Sequence, residues 1–251
     1  MPRILGLLFV AIGAMSAIAG AEPLKVLAYE TDGFFFRDAD GAPRGFEHDI
    51  LEYYARSKSR PLEIEWVQSF DRILEAMRSG DADVAAATVT ITPERERVMD
   101  FSGSYFPVRV MLVAPIGRGT TALEDLRGAR LATIRGTTLE KILAPIPDVE
   151  LVFVEGQREL FEAVASGRAD ATAVDSAVAF MLLPDFPALE LGIPLSEQQH
   201  YGFAVPEGSP LAKELEAHIT QLKEAGFYYR LLEKYLGAEA VRTVKLARET
   251  P

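Results

Sequence analysis

Apolar and polar positions fall into short alternating blocks along the chain. Lys25–Tyr29 and Leu62–Val67 have the length and composition of strands, whereas the segment after Gly45, from Phe46 to about Ser57, carries apolar residues at helical spacing. The same alternation returns later. A strand at Arg130–Ile134 leads through Gly136 into a helix from about Leu139, and Val149–Val154 is a further strand. Strands alternating with helices predict parallel sheets covered by helices. Two other segments, the apolar run Val108–Pro115 (followed by Gly117 and Gly119) and Tyr201–Val205, bracket the second block and are read as crossings between two lobes. Helices at Pro210–Lys223 and Phe227–Tyr235, punctuated by Gly226 and Gly237, then return to the first lobe.

An internal repeat supports the division. RILEAMRSGDADVAAAT at 72–88 matches ELFEAVASGRADATAVD at 159–175 at a fixed offset of 87. Glu75/Glu162, Ala76/Ala163, Ser79/Ser166, Gly80/Gly167, Ala82/Ala169, Asp83/Asp170 and Ala86/Ala173 are identical. Each copy reads as an amphipathic helix closed by a left-handed glycine, then a small-residue buried strand. The repeat sets Thr88 and Asp175 at equivalent strand ends, where open parallel sheets hold ligands. Two lobes facing each other there form a cleft suited to closing on a small molecule. The boundaries that follow are a leader over residues 1–21, lobe one over 22–112 plus 202–251, and lobe two over 113–201.

The first residues do not fit this pattern. Arg3 precedes an apolar run from Ile4 to Ala19, and Ala17-Ile18-Ala19 and Ala19-Gly20-Ala21 both offer small-x-small cut sites. This is the layout of a cleavable signal peptide, and the run is short for a membrane span. Cleavage removes one base and no acid, so the 26 bases and 37 acids of the whole chain become 25 − 37 = −12 in the mature one. A chain this acidic is a poor partner for nucleic acid. With no cysteine, it has no disulfide, no thiolate site and no lipidated N-terminus, so a periplasmic product that is not a lipoprotein is expected.

Candidate chemistry gathers past the two strand ends. In TVTITPER (88–95), Thr92-Pro93-Glu94 is a helix-start signal, and Thr88, Thr90 and Arg95 together offer hydroxyls, free N–H groups and a guanidinium fork that suit a carboxylate. Position alone does not separate Arg95 from a solvated arginine such as Arg97. In lobe two, Gly136-Thr137-Thr138-Leu139-Glu140 has the capping-box spacing at a helix N-terminus, which reads either as an anion site or as a plain capped helix. Asp175 ends an apolar strand and needs either a ligand ammonium or a structural partner. Two anion-seeking patches and one cation-seeking acid are together satisfied by a zwitterion such as an α-amino acid. The three histidines show no metal-ligand spacing, His200 sits near the second crossing, and no metal or cofactor is expected.

GFEHDI at 45–50, SGDADV…TITPERERVMDFSGSYF at 79–106, IRGTT at 134–138, SGRADATAVD at 166–175 and GFYYRLLEKYLG at 226–237 give the chain a resemblance. It resembles the family-3 extracellular solute-binding proteins, the polar-amino-acid receptors of ABC importers, from about Leu24 to Gly237. The resemblance implies an α/β periplasmic-binding-protein fold of two open, mainly parallel sheets joined by a two-strand hinge. It implies a monomer that binds an amino acid, does no chemistry on it, and presents it to an importer permease. It further implies that Arg95 pairs with the ligand carboxylate, helped by Thr90, Thr137 and Thr138. Asp175 would take the α-amino group with help from position 88, and Phe70 would form an aromatic wall. Members usually carry an aromatic and then prolines after the first strand. Thr31-Asp32-Gly33 stands there instead, which leaves Tyr29 and Phe34 as available replacements. His48 takes a usually apolar place and is expected to be half-exposed. The alternative function on this scaffold is a periplasmic cyclohexadienyl (prephenate/arogenate) dehydratase, against which Asp175 argues because it would repel a substrate lacking an ammonium. A sensor or murein-enzyme module would be expected to carry further domains beyond Gly237.

Overall fold

The computed structural model describes residues 21–118 and 120–249. The predicted signal peptide, residues 1–21, lies outside them except for Ala21. Among the described residues no helix is long and apolar enough to cross a membrane.

Two five-stranded sheets share one plan. In the first the order is Leu62–Val67, Leu24–Tyr29, Val84–Ala86, Ala204–Pro206, Met99–Phe101. In the second it is Glu150–Val154, Arg130–Ile134, Ala171–Asp175, Val110–Pro115, Leu189–Pro194. The first three strands of each sheet run parallel, as the alternating pattern predicts, and the last two pair antiparallel. Each sheet is therefore mixed.

The repeat is structural. Helix Phe70–Ser79 and helix Gln157–Ala165 precede the central strands Val84–Ala86 and Ala171–Asp175. Their buried faces correspond at the same offset: Phe70 with Gln157, Ile73 with Leu160, and Met77 with Val164. Gly80 and Gly167 follow them with φ 75° and 74°, a backbone state that costs glycine little.

The crossings lie beside the segments expected. Val110–Pro115 is buried between two strands of the second sheet, and Ala204–Pro206 belongs to the first. The chain crosses at Phe106–Val108 and Gln199–Tyr201, an antiparallel pair with His200 opposite Pro107. A long apolar run fits a strand covered on both sides better than a narrow linker, which is why the run sits inside a lobe. Helices Phe46–Ser57 and Leu211–Glu224 pack with the C-terminal helical segment Phe227–Glu249, which Gly237 breaks at φ 79°, ψ 174°.

His48 corrects an expectation. It is 5% exposed, not half-exposed, because Phe35 packs edge-on against its ring at 5.5 Å. Its Nδ1 lies 3.0 Å from Asp49 Oδ1. Phe34 is fully buried among Phe46, Phe106 and Tyr201 in the lobe-one core, so it offers no platform to a ligand.

Candidate functional site

The loop after the first central strand is fastened to the crossing. Thr90 bridges Tyr201, and the Ile91 N–H donates to the His200 carbonyl at 2.8 Å. Thr88 opens the loop in the left-handed region, φ 47°, with its N–H donating to Glu47 Oε1 at 3.1 Å. The helix start predicted at Thr92-Pro93-Glu94 yields only a single turn of 3-10 helix, Arg95–Arg97. That turn suffices to separate the two arginines: Arg95 is 5% exposed and Arg97 lies in solvent. The Arg95 guanidinium donates to the Thr90 carbonyl at 2.8 Å and to the Gly136 carbonyl of the other lobe at 3.4 Å. It also lies over the Phe70 ring, 5.1 Å from its centroid.

In lobe two, Thr137 caps helix Thr138–Leu143. Its hydroxyl donates to the Ile134 carbonyl at 2.6 Å and accepts the Glu140 N–H at 3.4 Å. Glu140 reaches back to the Gly136 N–H at 2.7 Å. The motif thus serves its own helix first, and its contribution to the interlobe face is the Gly136 carbonyl and the buried Thr138. Gly136 has φ 75°, where a side chain is strained, and a Cβ there would also push aside the exposed Asp71 side chain of lobe one, whose Oδ1 would stand 1.8 Å away.

Asp175 completes the set. It is 6% exposed, and its Oδ2 accepts the Tyr201 hydroxyl at 2.6 Å. Its Oδ1 is buried with no partner among the described residues. Burial pushes the carboxyl up to about 6 against the pull of Tyr201 and Arg95. Burial also lowers Arg95 to about 10, opposed by Asp175 and Glu94. Two opposite charges are therefore held out of water at one interlobe face, each short of partners that would satisfy its charge.

The lobes touch around this face. The Tyr29 hydroxyl donates to the Glu155 carbonyl, and its ring meets Phe70 edge-on at 6.0 Å. Lys141 pairs with Glu94, and Arg158 pairs with Asp32 at 3.2 Å and with Asp185 at 2.8 Å. Beside Tyr29 an interlobe cavity of about 430 Å³ is lined by residues including Gln68, Glu155, Gln157 and Arg158.

The sequence profile of bacterial extracellular solute-binding proteins, family 3, matches residues 25–238. The chain belongs to this family. The ABC transporter glutamine-binding protein GlnH of Bacillus subtilis is 30% identical over 221 residues, which span 84% of this chain and 80% of GlnH. A probable histidine-binding protein of Neisseria gonorrhoeae is 26% identical over 246 residues, 93% of this chain and 91% of its own. Among solved structures, an ancestral arginine-binding protein bound to arginine superposes with a TM-score of 0.79 at 30% identity, covering 86% of this chain and 98% of that one.

In this family-3 chain the structure brings Arg95, Thr88, Thr90 and Phe70 of lobe one toward Asp175 of lobe two, where Thr137 and Thr138 are also buried. Sequence reasoning missed Tyr201 and Glu47. Glu47 was findable: Ile50, Leu51 and Tyr54 stand three, four and seven residues after it, which puts the acid on the apolar face of its helix. Tyr201 carried no signal, because its role arises from strand pairing between segments far apart in sequence. His200 turns aside: burial lowers it, and its Nδ1 lies 2.9 Å from Ser104 Oγ. One group among the described residues has metal-like spacing, His48, Asp49 and Glu52 within 4.8 Å. Asp49 already accepts the Lys234 ammonium at 3.0 Å and the Tyr235 hydroxyl at 2.8 Å, which makes it an ion-pair cluster joining two helices.

Proposed function

We propose that the protein is a periplasmic receptor that captures an α-amino acid between its two lobes and presents it to an ABC importer. The observation that carries this reading is the pairing of a buried Arg95, whose hydrogen bonds among the described residues go to carbonyl oxygens, with a buried Asp175 whose Oδ1 has no partner among them. A ligand carboxylate gives Arg95 its counter-charge, and a ligand ammonium does the same for Asp175. Phe70 and Tyr29 stand beside this pair as an aromatic wall. The signal-peptide pattern at residues 1–21 supports export, and hinge motion would occur at the Phe106–Val108 and Gln199–Tyr201 pair.

A thermal-shift screen of the chain lacking residues 1–21 tests the reading. At least one proteinogenic amino acid is expected to raise Tm by mass action, and Asp175→Asn is expected to abolish that rise while leaving the unliganded Tm near wild type. No shift with any amino acid, or turnover of prephenate or arogenate, overturns it.

A further inference from the structure

Glu47 is the most deeply buried acid near the site and has no part in the reading above. It is the second residue of helix Phe46–Ser57 and is 0% exposed. Its Oε1 accepts the Thr88 N–H at 3.1 Å and the Tyr105 hydroxyl, and its Oε2 has no partner among the described residues. The groups that act on it are neutral. The Tyr105 and Tyr201 phenols face it, Tyr228 donates to the Tyr105 carbonyl, and Asp175 lies beyond Tyr201. On its own helix, His48 and Asp49 pair with each other, and Lys234 is bound to Asp49. Burial raises the Glu47 carboxyl to about 7. Packing does not require an acid here, since an apolar side chain would fill the position at lower cost. What Glu47 does hold is Thr88, a β-branched residue kept at φ 47°. The Thr88 side chain in turn acts as a hydrogen-bond partner of the Tyr201 phenol, which donates to Asp175.

We propose that Glu47 is a positioning residue for the ammonium end of the ligand site, acting through the Thr88 turn and Tyr201 on Asp175. The proposal rests on the receptor reading and adds proton linkage to it. A ligand ammonium at Asp175 adds a second cation beside Arg95, the buried guanidinium that already acts on Asp175 but is not among the groups acting on Glu47. It therefore favours the ionised Glu47, and by reciprocity the ionised Glu47 favours the ligand. Affinity rises as pH rises through about 7. Without ligand the sign is opposite. The folded protein keeps a proton that the unfolded chain has already released, so this group's contribution to stability falls as pH rises through about 7.

Glu47→Gln keeps an oxygen for Thr88 and Tyr105, puts the amide nitrogen where Oε2 has no partner, and removes the titration. L-glutamine, L-histidine and L-arginine serve as probes in calorimetry on wild type and variant at pH 5 and pH 8, with unliganded Tm followed over the same range. For whichever probe binds, the variant is expected to match wild type at pH 5 and to bind up to about tenfold more weakly at pH 8, a one-unit change in linkage. Its Tm is expected to lose the step near pH 7. Parallel affinity profiles in the two proteins overturn the proposal while leaving the receptor reading intact. Should Glu47→Gln fail to fold, Thr88→Gly probes the same linkage from the other side. Glycine adopts the turn without strain but lacks the side chain facing Tyr201. That variant is expected to keep the Tm change and to show a shallower pH dependence of affinity than wild type, with only the part due to Asp175 remaining, and a dependence as steep as that of wild type overturns the proposal. A wild type that binds none of the proteinogenic amino acids overturns the receptor reading, and the role of Glu47 with it.

Discussion

Arg95 and Arg97 are two residues apart on one short turn, yet their surroundings differ completely. Arg95 rests on Phe70 and two carbonyl oxygens inside the interlobe face, while Arg97 is solvated. Truncating a charge that pairs with a ligand in a closed site costs about 2–5 kcal/mol, whereas an exposed charge contributes less than about 1 kcal/mol. Arg95→Ala is therefore expected to weaken amino-acid binding by at least about thirtyfold and Arg97→Ala by less than about fivefold. Calorimetry on both variants checks this, and equal small losses would remove Arg95 from the site. The sequence named Arg95 as a candidate but left its environment open, because burial of a charged residue depends on the opposite lobe. The depth of His48 was hidden for a nearer reason: its cover is Phe35, from the loop just before its helix in the same lobe. Glu47 was legible by helical spacing alone, since that pattern is local.

At the scale of elements, the repeat was readable because helix, glycine cap and buried strand each leave a local mark, and all three recur at one offset. The crossings were displaced by a few residues because an apolar run records that a strand is covered and does not record which sheet covers it. The antiparallel halves of the sheets were likewise invisible, since pairing direction is set by chain return and not by composition. The two glycine caps offer a clean test of what the repeat contributes. Gly80 and Gly167 have φ near +75°, and a Cβ on either would meet nothing within 4 Å. Substitution therefore costs backbone strain without steric clash. Gly80→Ala and Gly167→Ala are each expected to lower unfolding free energy by about 1 kcal/mol, with ligand affinity unchanged. Urea unfolding and calorimetry measure both, and a loss confined to one copy would show that the two helix ends are not equivalent.

For the molecule as a whole, the question is what holds the lobes together without ligand. The ion pairs that cross between them among the described residues are exposed, while the Tyr29–Glu155 and Tyr201–Asp175 hydrogen bonds cross under cover. Arg158–Asp32 has side chains 47% and 43% exposed, and Lys141–Glu94 has 51% and 64%, so each pair contributes little. At the centre, Arg95 and Asp175 oppose closure when empty, because both are desolvated with incomplete partners. In the proposed reading an amino acid would reverse that balance by supplying both counter-charges at once, since a ligand shifts a conformational equilibrium by its difference in affinity for the two states. The empty protein should thus sample open arrangements that the bound protein does not. The absence of cysteine allows a direct measurement: Asp32→Cys together with Arg158→Cys places the only two thiols on opposite lobes. Spin labels at these sites are expected to give one short, narrow distance distribution with saturating amino acid, and a longer, broader one without it. The labels remove an interlobe ion pair, which weakens closure only slightly and leaves the central charges in place. Identical distributions in the two conditions would mean that the lobes are locked by their own contacts, and that capture proceeds without closure.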